Sequence, residues 1–531
     1  MGLYLNPNNL SFLQLVKTGR YVDKTMLIAE TNRRLDDPLF DFVCISRPRR
    51  FGKSVAGNML SAYYSKGADS RALFAPYKIA QEETFSAHLN AYNVVKIDLN
   101  ALFGNWQITP EELKSYPFIT HASKTICAEF AETFTDVDFS SCASLADCIQ
   151  RVFARKGETF VIIIDEYDVL VREGIGGAEF TSYLAFLNSL FKNAELRPAI
   201  SLAYLTGIIP IMRDRIQSKL NTFDELTMLR AGRFSEFTGF TTAEVRALCE
   251  RYGCDFDECR SWYDGYKVGV YEIYNPQAVM KAVVSGEFAS YWSGTSTYEV
   301  VAEKVRLNFA GTKEAVITML GGGKVALDVE SYENRMDTFR SKDDVFTFLI
   351  HLGYLAYDAE EKRCYIPNRE IHSEWQRAIK HTPDYAATNK IIRDSERLLQ
   401  ETLSGNERAV AEALDESHIH VTSNRSYNNE DALQSAVYLA YIYALNEYMV
   451  VKEMTAGKGF ADIVYIPFDK AKAALIVELK RNDSAEGALR QIRDKRYFDC
   501  LARWRGVVLF VGINYDADTK QHSCRIERFV K

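Results

Sequence analysis

Eight residues, Arg47-Pro-Arg-Arg-Phe-Gly-Lys-Ser54, follow a short apolar run and precede a helical pattern. A lysine and a hydroxyl placed directly after a glycine at a helix start can hold a chain of phosphates. Backbone N–H groups at the helix N-terminus meet phosphate oxygens, and Gly52 lets the backbone come close. Lys53 would reach the terminal phosphates and Ser54 would hold Mg²⁺. Such loops usually open on glycine, whereas here Arg47 stands first. Arg47, Arg49 and Arg50 would add charge to the phosphates, with Phe51 part of the same nucleotide-binding turn. The bland alternative is a chance Gly-Lys-Ser on a solvated basic loop. A second segment argues against it. Val161-Ile-Ile-Ile164 is a buried strand pattern ending on Asp165-Glu166. Asp165 would bind the ion through water and Glu166 would polarise the attacking water as general base. The two motifs are expected on neighbouring strands. Thr206, at the end of the next apolar run, stands where a polar sensor would touch the last phosphate. Arg213, Arg230 and Arg233 are candidate arginine fingers. The ligand implied is ATP with Mg²⁺.

A second set of reactive residues lies near the other end: Asp462, then Glu478-Leu-Lys480. If adjacent hairpin strands carry them, Asp462 lies beside Glu478, and the two carboxylates with the Leu479 carbonyl make an oxygen site suited to Mg²⁺. Strand side chains repeat on one face every second residue, so Lys480 returns to the side of Glu478. There it can position water and oppose charge on a phosphorane. Gln491 and Lys495 lie four apart on the following helical stretch and share a face. The bland reading is strand-end charge and a solvated basic helix.

These groups need elements to hold them. Asp41–Ile45, Asn93–Asp98, Phe160–Ile164 and Ala199–Leu205 are apolar runs separated by helical patterns. They predict a parallel sheet covered on both faces. Thr241-Thr-Ala-Glu244 has the form of a capping box, and Ser261 to Pro276 reads as a loop or short strand pair. Residues 290–385 read as mostly helix. At the C-terminus the pattern predicts a helix over 430–448, strands over 450–454, 460–466 and 474–479, a helix over 485–501 and a last strand over 506–511.

The 531 residues allow two to four domains. With 47% hydrophobic and 25% charged residues the composition is that of an ordinary globular protein. No apolar run is long enough for a membrane helix, and the N-terminus lacks the form of a secretory signal. Ten cysteines are scattered without a Cys-x-x-Cys pair, which reads as reduced core thiols in a cytoplasmic protein. The net charge of -7 lends no bulk support to nucleic-acid binding, so any such contact must come from a local basic patch.

The N-terminal motifs resemble those of the bacterial and archaeal AAA-ATPase-like family. Tyr21-Val-Asp-Lys-Thr25, the arginine-rich loop, Ile163-Ile-Asp-Glu-Tyr-Asp168, Gly239-Phe-Thr-Thr-Ala-Glu-Val245, Trp262-Tyr-Asp-Gly-Tyr266 and Tyr274-Asn-Pro276 carry the likeness. It implies an ATPase core followed by a small helical lid. The C-terminal pattern resembles the PD-(D/E)xK nuclease superfamily. That likeness implies Glu430 as an acid on the preceding helix and a Gln-Ile-x-x-Lys-x-Tyr helix ending at Tyr497. The expectation is therefore an α/β chain with a P-loop ATPase core over 1–235, a helical lid over 236–300, a helical linker over 301–385 and a nuclease-like domain over 386–531. Its expected activity is ATP binding and hydrolysis coupled to Mg²⁺-dependent action on nucleic acid, with oligomerisation possible. The rival is an ATP-dependent switch whose C-terminal domain binds nucleic acid or protein, or serves as an address tag, without cutting.

Overall fold

The computed structural model describes residues 2–530 except 109–116, 211–221, 293–296, 331, 333–338, 381, 422–429, 457–458, 470 and 502–503. Arg213 lies outside the described residues. The chain forms two compact units, and both are discontinuous. One is built from 1–254, 264–287 and 328–360, the other from 255–263, 288–327 and 361–531. Segments 236–300 and 301–385 are thus each shared between the two units.

In the first unit, β1 (Phe42–Ser46), β2 (Asn93–Asp98), β3 (Phe160–Asp165), β4 (Ile200–Gly207) and β5 (Asp224–Leu226) form a parallel sheet. Its order is β2-β3-β4-β1-β5. Every residue of β1, β3 and β4 is buried, the signature of a sheet covered on both faces. The sheet matches the four predicted runs to within a residue or two. One expectation is corrected: β1 and β3 are not neighbours. β4 lies between them, pairing Cys44 with Leu205 on one side and Ile164 with Leu205 on the other. The same unit holds a small antiparallel sheet of β6 (Phe240–Thr241), β7 (Tyr266–Val268) and β8 (Tyr271–Tyr274), in which β8 lies between β6 and β7. Thr241 and Glu244 form the expected capping box on the helix Thr242–Tyr252.

The middle region also contains three short strands, β9 (Val325–Ala326), β10 (Ala356–Asp358) and β11 (Arg363–Tyr365), where only helix was expected. At the C-terminus, β12 (Tyr448–Ala456), β13 (Gly459–Pro467), β14 (Ala474–Arg481), β15 (Val507–Asp516) and β16 (Gln521–Val530) form one mixed sheet in chain order. Only β14 and β15 run parallel, joined by the helix Ala485–Asp494. One face of this sheet carries Ile463, Leu475 and Val477 against Leu433 and Val437 of the helix Glu430–Ala440. The other carries Val464 and Ile476 against Leu489 and Ile492. Among the described residues no helix is long and apolar enough to cross a membrane.

Candidate functional site

The first site sits at the C-terminal ends of β1, β3 and β4. After β1 the chain turns through Arg50 and Gly52, both with positive φ (69° and 85°), into the helix Lys53–Tyr64. Turns of this kind point successive N–H groups inward and suit an anion. The Lys53 ammonium is buried and donates to the carbonyls of Arg47 and Pro48, both at 3.0 Å. Burial pushes it below the usual lysine range, against the pull of Glu166, Asp165 and Asp168. Ser54 and Arg49 are exposed, and Arg50 is half-buried. Arg47 differs from its expected place on the phosphate face. Its side chain is fully buried, and Nη1 donates to the carbonyls of Ser46 (2.9 Å) and Leu226 (3.2 Å), bracing β1 and β5. Phe51 is also buried, edge-on to Tyr266 at 5.3 Å, and its carbonyl accepts the Gly239 N–H.

Asp165 Oδ1 accepts the Glu166 N–H at 3.0 Å and the Thr206 hydroxyl. Thr206 is buried and spends its donor on Asp165, which ties the end of β4 to the end of β3. Glu166 takes a positive φ of 55°, a conformation that costs a residue with a side chain about 1 kcal/mol or more. Its carboxylate pairs with Arg172, which also lies 3.3 Å from Asp168. Burial raises the Glu166 carboxyl above the ordinary range, while Lys53 and Arg172 pull it back. Asp168 accepts the N–H groups of Ile208 (3.0 Å) and Ile209 (2.8 Å), just after β4. Arg172 and Asp168 were not among the sequence candidates; Asp168 lay inside a quoted motif, whereas nothing in spacing marks Arg172. Arg230 and Arg233 are exposed.

The motifs outside the loop brace it. Lys24 donates to the Glu236 carbonyl and to Glu244, both at 2.6 Å. Gly239 has φ +94°, and a Cβ there would stand 2.2 Å from Ile273 Cγ2 and 3.4 Å from Phe51. Only glycine fits beneath the phosphate loop at this point.

The second site is built on β13 and β14. Ile463 pairs with Val477, so the antiparallel register puts Asp462 opposite Glu478. Asp462 Oδ2 accepts the Leu479 N–H at 2.7 Å. The Glu478 carboxylate is 2% exposed; Oε1 meets Lys480 Nζ at 3.4 Å and Gln491 Nε2, while Oε2 is buried without a protein partner. Burial first, then the Asp462 charge, push the Glu478 carboxyl up to about 8, against the pull of Lys480. Gln491 ties the cluster: Oε1 accepts Lys480 at 2.7 Å and Nε2 donates to Tyr497 Oη at 3.0 Å. Lys480 and Glu478 therefore share the face expected of them. Lys495 is exposed at the end of the same helix. Glu430 opens the helix Glu430–Ala440, and its side chain lies outside the described residues. Among the described residues no group of three or more acidic, histidine or cysteine side chains forms a metal cluster. Gln434, not foreseen from sequence, donates to the Asp462 carbonyl at 3.2 Å.

Residues 10–217 match the family model of a predicted AAA-ATPase, and residues 428–523 that of the PD-(D/E)XK nuclease superfamily. The chain carries an AAA-ATPase-like domain and a PD-(D/E)XK nuclease superfamily domain. A relative from Azotobacter chroococcum mcd 1, described as "Uncharacterized protein in vnfD 5'region", is 23% identical over 500 residues, covering 90% of each chain. Among solved structures, the chain is similar to Cdc6p from Pyrobaculum aerophilum (12% identity, 67% of this chain and 93% of that one, TM-score 0.25). It is also similar to the FIGL-1 AAA domain in complex with ADP (13% identity, 64% and 80%, TM-score 0.22). At those scores the overlaps carry no argument, and the strand order above is the basis for the fold.

Proposed function

We propose that the N-terminal unit binds and hydrolyses ATP with Mg²⁺, and that the C-terminal site cleaves phosphodiester bonds of nucleic acid with Mg²⁺ under ATP control. At the first site Lys53 would leave the loop carbonyls for the β- and γ-phosphates, Ser54 and Asp165 would hold the ion, and Glu166 would take the proton of the attacking water. At the second site the observation that carries the reading is the Glu478 carboxyl. It is buried, faces a second carboxylate, has one oxygen without a protein partner and stands beside Lys480. Two carboxylates held together at this cost fit a divalent cation, which relieves their repulsion. Asp462, Glu478 and the Leu479 carbonyl would hold it, with Glu430 as a further acid from the helix. Bound there, Mg²⁺ supplies a polarised phosphoryl oxygen and a more acidic water. Lys480, fixed by Gln491, presents its ammonium to the charge that develops on the phosphate.

The test is cleavage of single- and double-stranded DNA and of RNA, with Mg²⁺ or Mn²⁺, with and without ATP. Wild type, Glu478→Ala and Lys53→Ala are compared. Cleavage lost in Glu478→Ala establishes the nuclease, and a changed rate in Lys53→Ala establishes ATP control. ATP hydrolysis without cleavage under any condition selects the rival, a nucleotide-driven module that binds without cutting.

A further inference from the structure

Next to the strand that ends in Asp165 stands a lysine with no role in the phosphate loop. Lys96 lies on β2, which runs parallel to β3 in a register that pairs Lys96 with Ile163 and Asp98 with Asp165. Strand side chains repeat on one face every second residue, so Lys96, Asp98, Ile163 and Asp165 all point to one side of the sheet. The helix Lys53–Tyr64 covers that side: a Cβ on its Gly57 would stand 3.5 Å from Ile163 Cγ2. Lys96 thus lies under this helix, two residues short of the carboxylates at the strand ends.

Two strand residues span about 7 Å and neighbouring strands lie about 4.8 Å apart, so an extended lysine can reach either carboxylate. Burial pushes the Lys96 ammonium below the usual lysine range, and Asp165 and Asp98 are the charges that pull it back. It nonetheless pairs with neither. Among the described residues its one side-chain partner is Asn58 Oδ1. An ammonium accepts no hydrogen bond, so this contact also fixes which way the Asn58 amide faces. Asn58 stands one helical turn after Ser54, and the two share a face of the helix. Asp165 spends Oδ1 on the Glu166 N–H and the Thr206 hydroxyl, and Oδ2 has no hydrogen-bond partner among the described residues. A carboxylate oxygen left open in this way, together with the Ser54 hydroxyl, suits Mg²⁺. It equally suits a nearby ammonium, and partial burial strengthens that attraction. A lysine closed on Asp165 would take the oxygen that the ion needs.

We propose that Asn58 is a positioning residue of the ATP site. It holds the Lys96 ammonium clear of Asp165, so that Lys96 balances the charge of the two strand-end carboxylates while Asp165 stays open to Mg²⁺. The inference rests on the reading of this site as one for ATP and Mg²⁺, and it adds two residues that touch neither. Asn58 acts through Lys96, outside the bond-breaking chemistry.

The experiment uses the full chain and a fluorescent, non-hydrolysable ATP analogue, so that catalysis does not enter the readout. The Kd is measured by anisotropy in EDTA and in saturating Mg²⁺, and the ratio of the two is the gain that the ion gives. Asn58→Ala frees Lys96 to close on Asp165, so the gain should fall about 10-fold while the Kd in EDTA stays near wild type. Asn58→Asp keeps an acceptor for Lys96 and should keep the gain. Asn58→Ala combined with Lys96→Met should show the gain of Lys96→Met alone, because the competing ammonium is gone. A helix merely weakened by the substitution would bind less well in EDTA and in Mg²⁺ alike, and the combined variant would not recover. Either of those results overturns the proposal, as does an unchanged gain in Asn58→Ala. Wild-type protein that binds the analogue without any gain from Mg²⁺, or Lys53→Ala that binds it as wild type does, overturns the underlying reading of the site instead.

Discussion

Arg172 pairs with Glu166, the carboxylate at the end of β3, and with Asp168 two residues further on. The guanidinium is 11% exposed, so the ion pair is not a surface contact screened by water. It joins the proposed general base to Asp168, which holds the N–H groups of Ile208 and Ile209 after β4. Ile208 and Ile209, just after β4, are thus connected to the proposed base through the side chains of Asp168 and Arg172.

On the proposed reading of Glu166 as general base, the same pairing sets the acid limb of ATP hydrolysis. Burial raises the Glu166 carboxyl, and Lys53 and Arg172 lower it. Arg172→Ala removes one lowering influence, so the carboxyl rises further and more of it is protonated at a given pH. The acid limb of the kcat profile should move to higher pH in Arg172→Ala and stay near wild type in Arg172→Lys. A limb that does not move in Arg172→Ala would show that another group titrates.

Lys53 is buried and braces the loop through two carbonyls. Lys53→Ala removes charge-assisted hydrogen bonds to phosphate, each of about 1.5–3 kcal/mol. ATP affinity measured by calorimetry should fall at least 10-fold. Unchanged affinity would remove the phosphate loop from the argument.

Much of this arrangement was legible in sequence because it rests on strong local patterns. Continuous apolar runs are buried strands, and Gly-Lys-Ser and Asp-Glu stand at their ends. The Asp462 and Glu478 spacing survives because a hairpin register is local. Other features were hidden for physical reasons. β5 is only Asp224–Leu226, too short and polar to show a period. β16, Gln521–Val530, is largely polar and was missed at the sheet edge. The insertion of β4 between β1 and β3 is a choice of topology that no residue pattern records. The pairing of Arg172 with Glu166 depends on the turn after β3, where Glu166 itself takes a positive φ. Arg47 was read as a phosphate ligand, yet the same residue can turn inward when two carbonyls are within reach.

Gly239 offers a measure of how tightly the phosphate loop is held. Its N–H meets the Phe51 carbonyl, and a side chain there would collide with Ile273. Gly239→Ala should destabilise the first unit by about 2–4 kcal/mol, through strain and overpacking together. Gly253 also has a positive φ, +69°, but open space around it. Gly253→Ala should cost only about 1 kcal/mol. Urea unfolding followed by ATP protection distinguishes the two; equal losses would mean that the loop contact at Gly239 contributes nothing beyond its backbone angle.

The Glu478 carboxyl makes the second site's stability depend on pH in a direction opposite to that of most carboxylates. Its folded value, about 8, lies above the unfolded value of about 4.3. The folded state therefore binds the extra proton, and the stability it brings is complete below pH 4.3 and lost as pH rises through about 8. Within that window one proton contributes about 1.4 kcal/mol per pH unit. On the proposed reading Mg²⁺ competes with the same proton, since it needs the ionised carboxylate. The Mg²⁺-induced rise in Tm should be small at pH 6 and large at pH 8.5. Glu478→Gln, neutral at every pH, should flatten the metal-free profile and lose the Mg²⁺ shift, and Asp462→Ala should lose the shift as well. A Tm rise with Mg²⁺ that is the same at both pH values, or that persists in Glu478→Gln, would place the ion elsewhere in the chain.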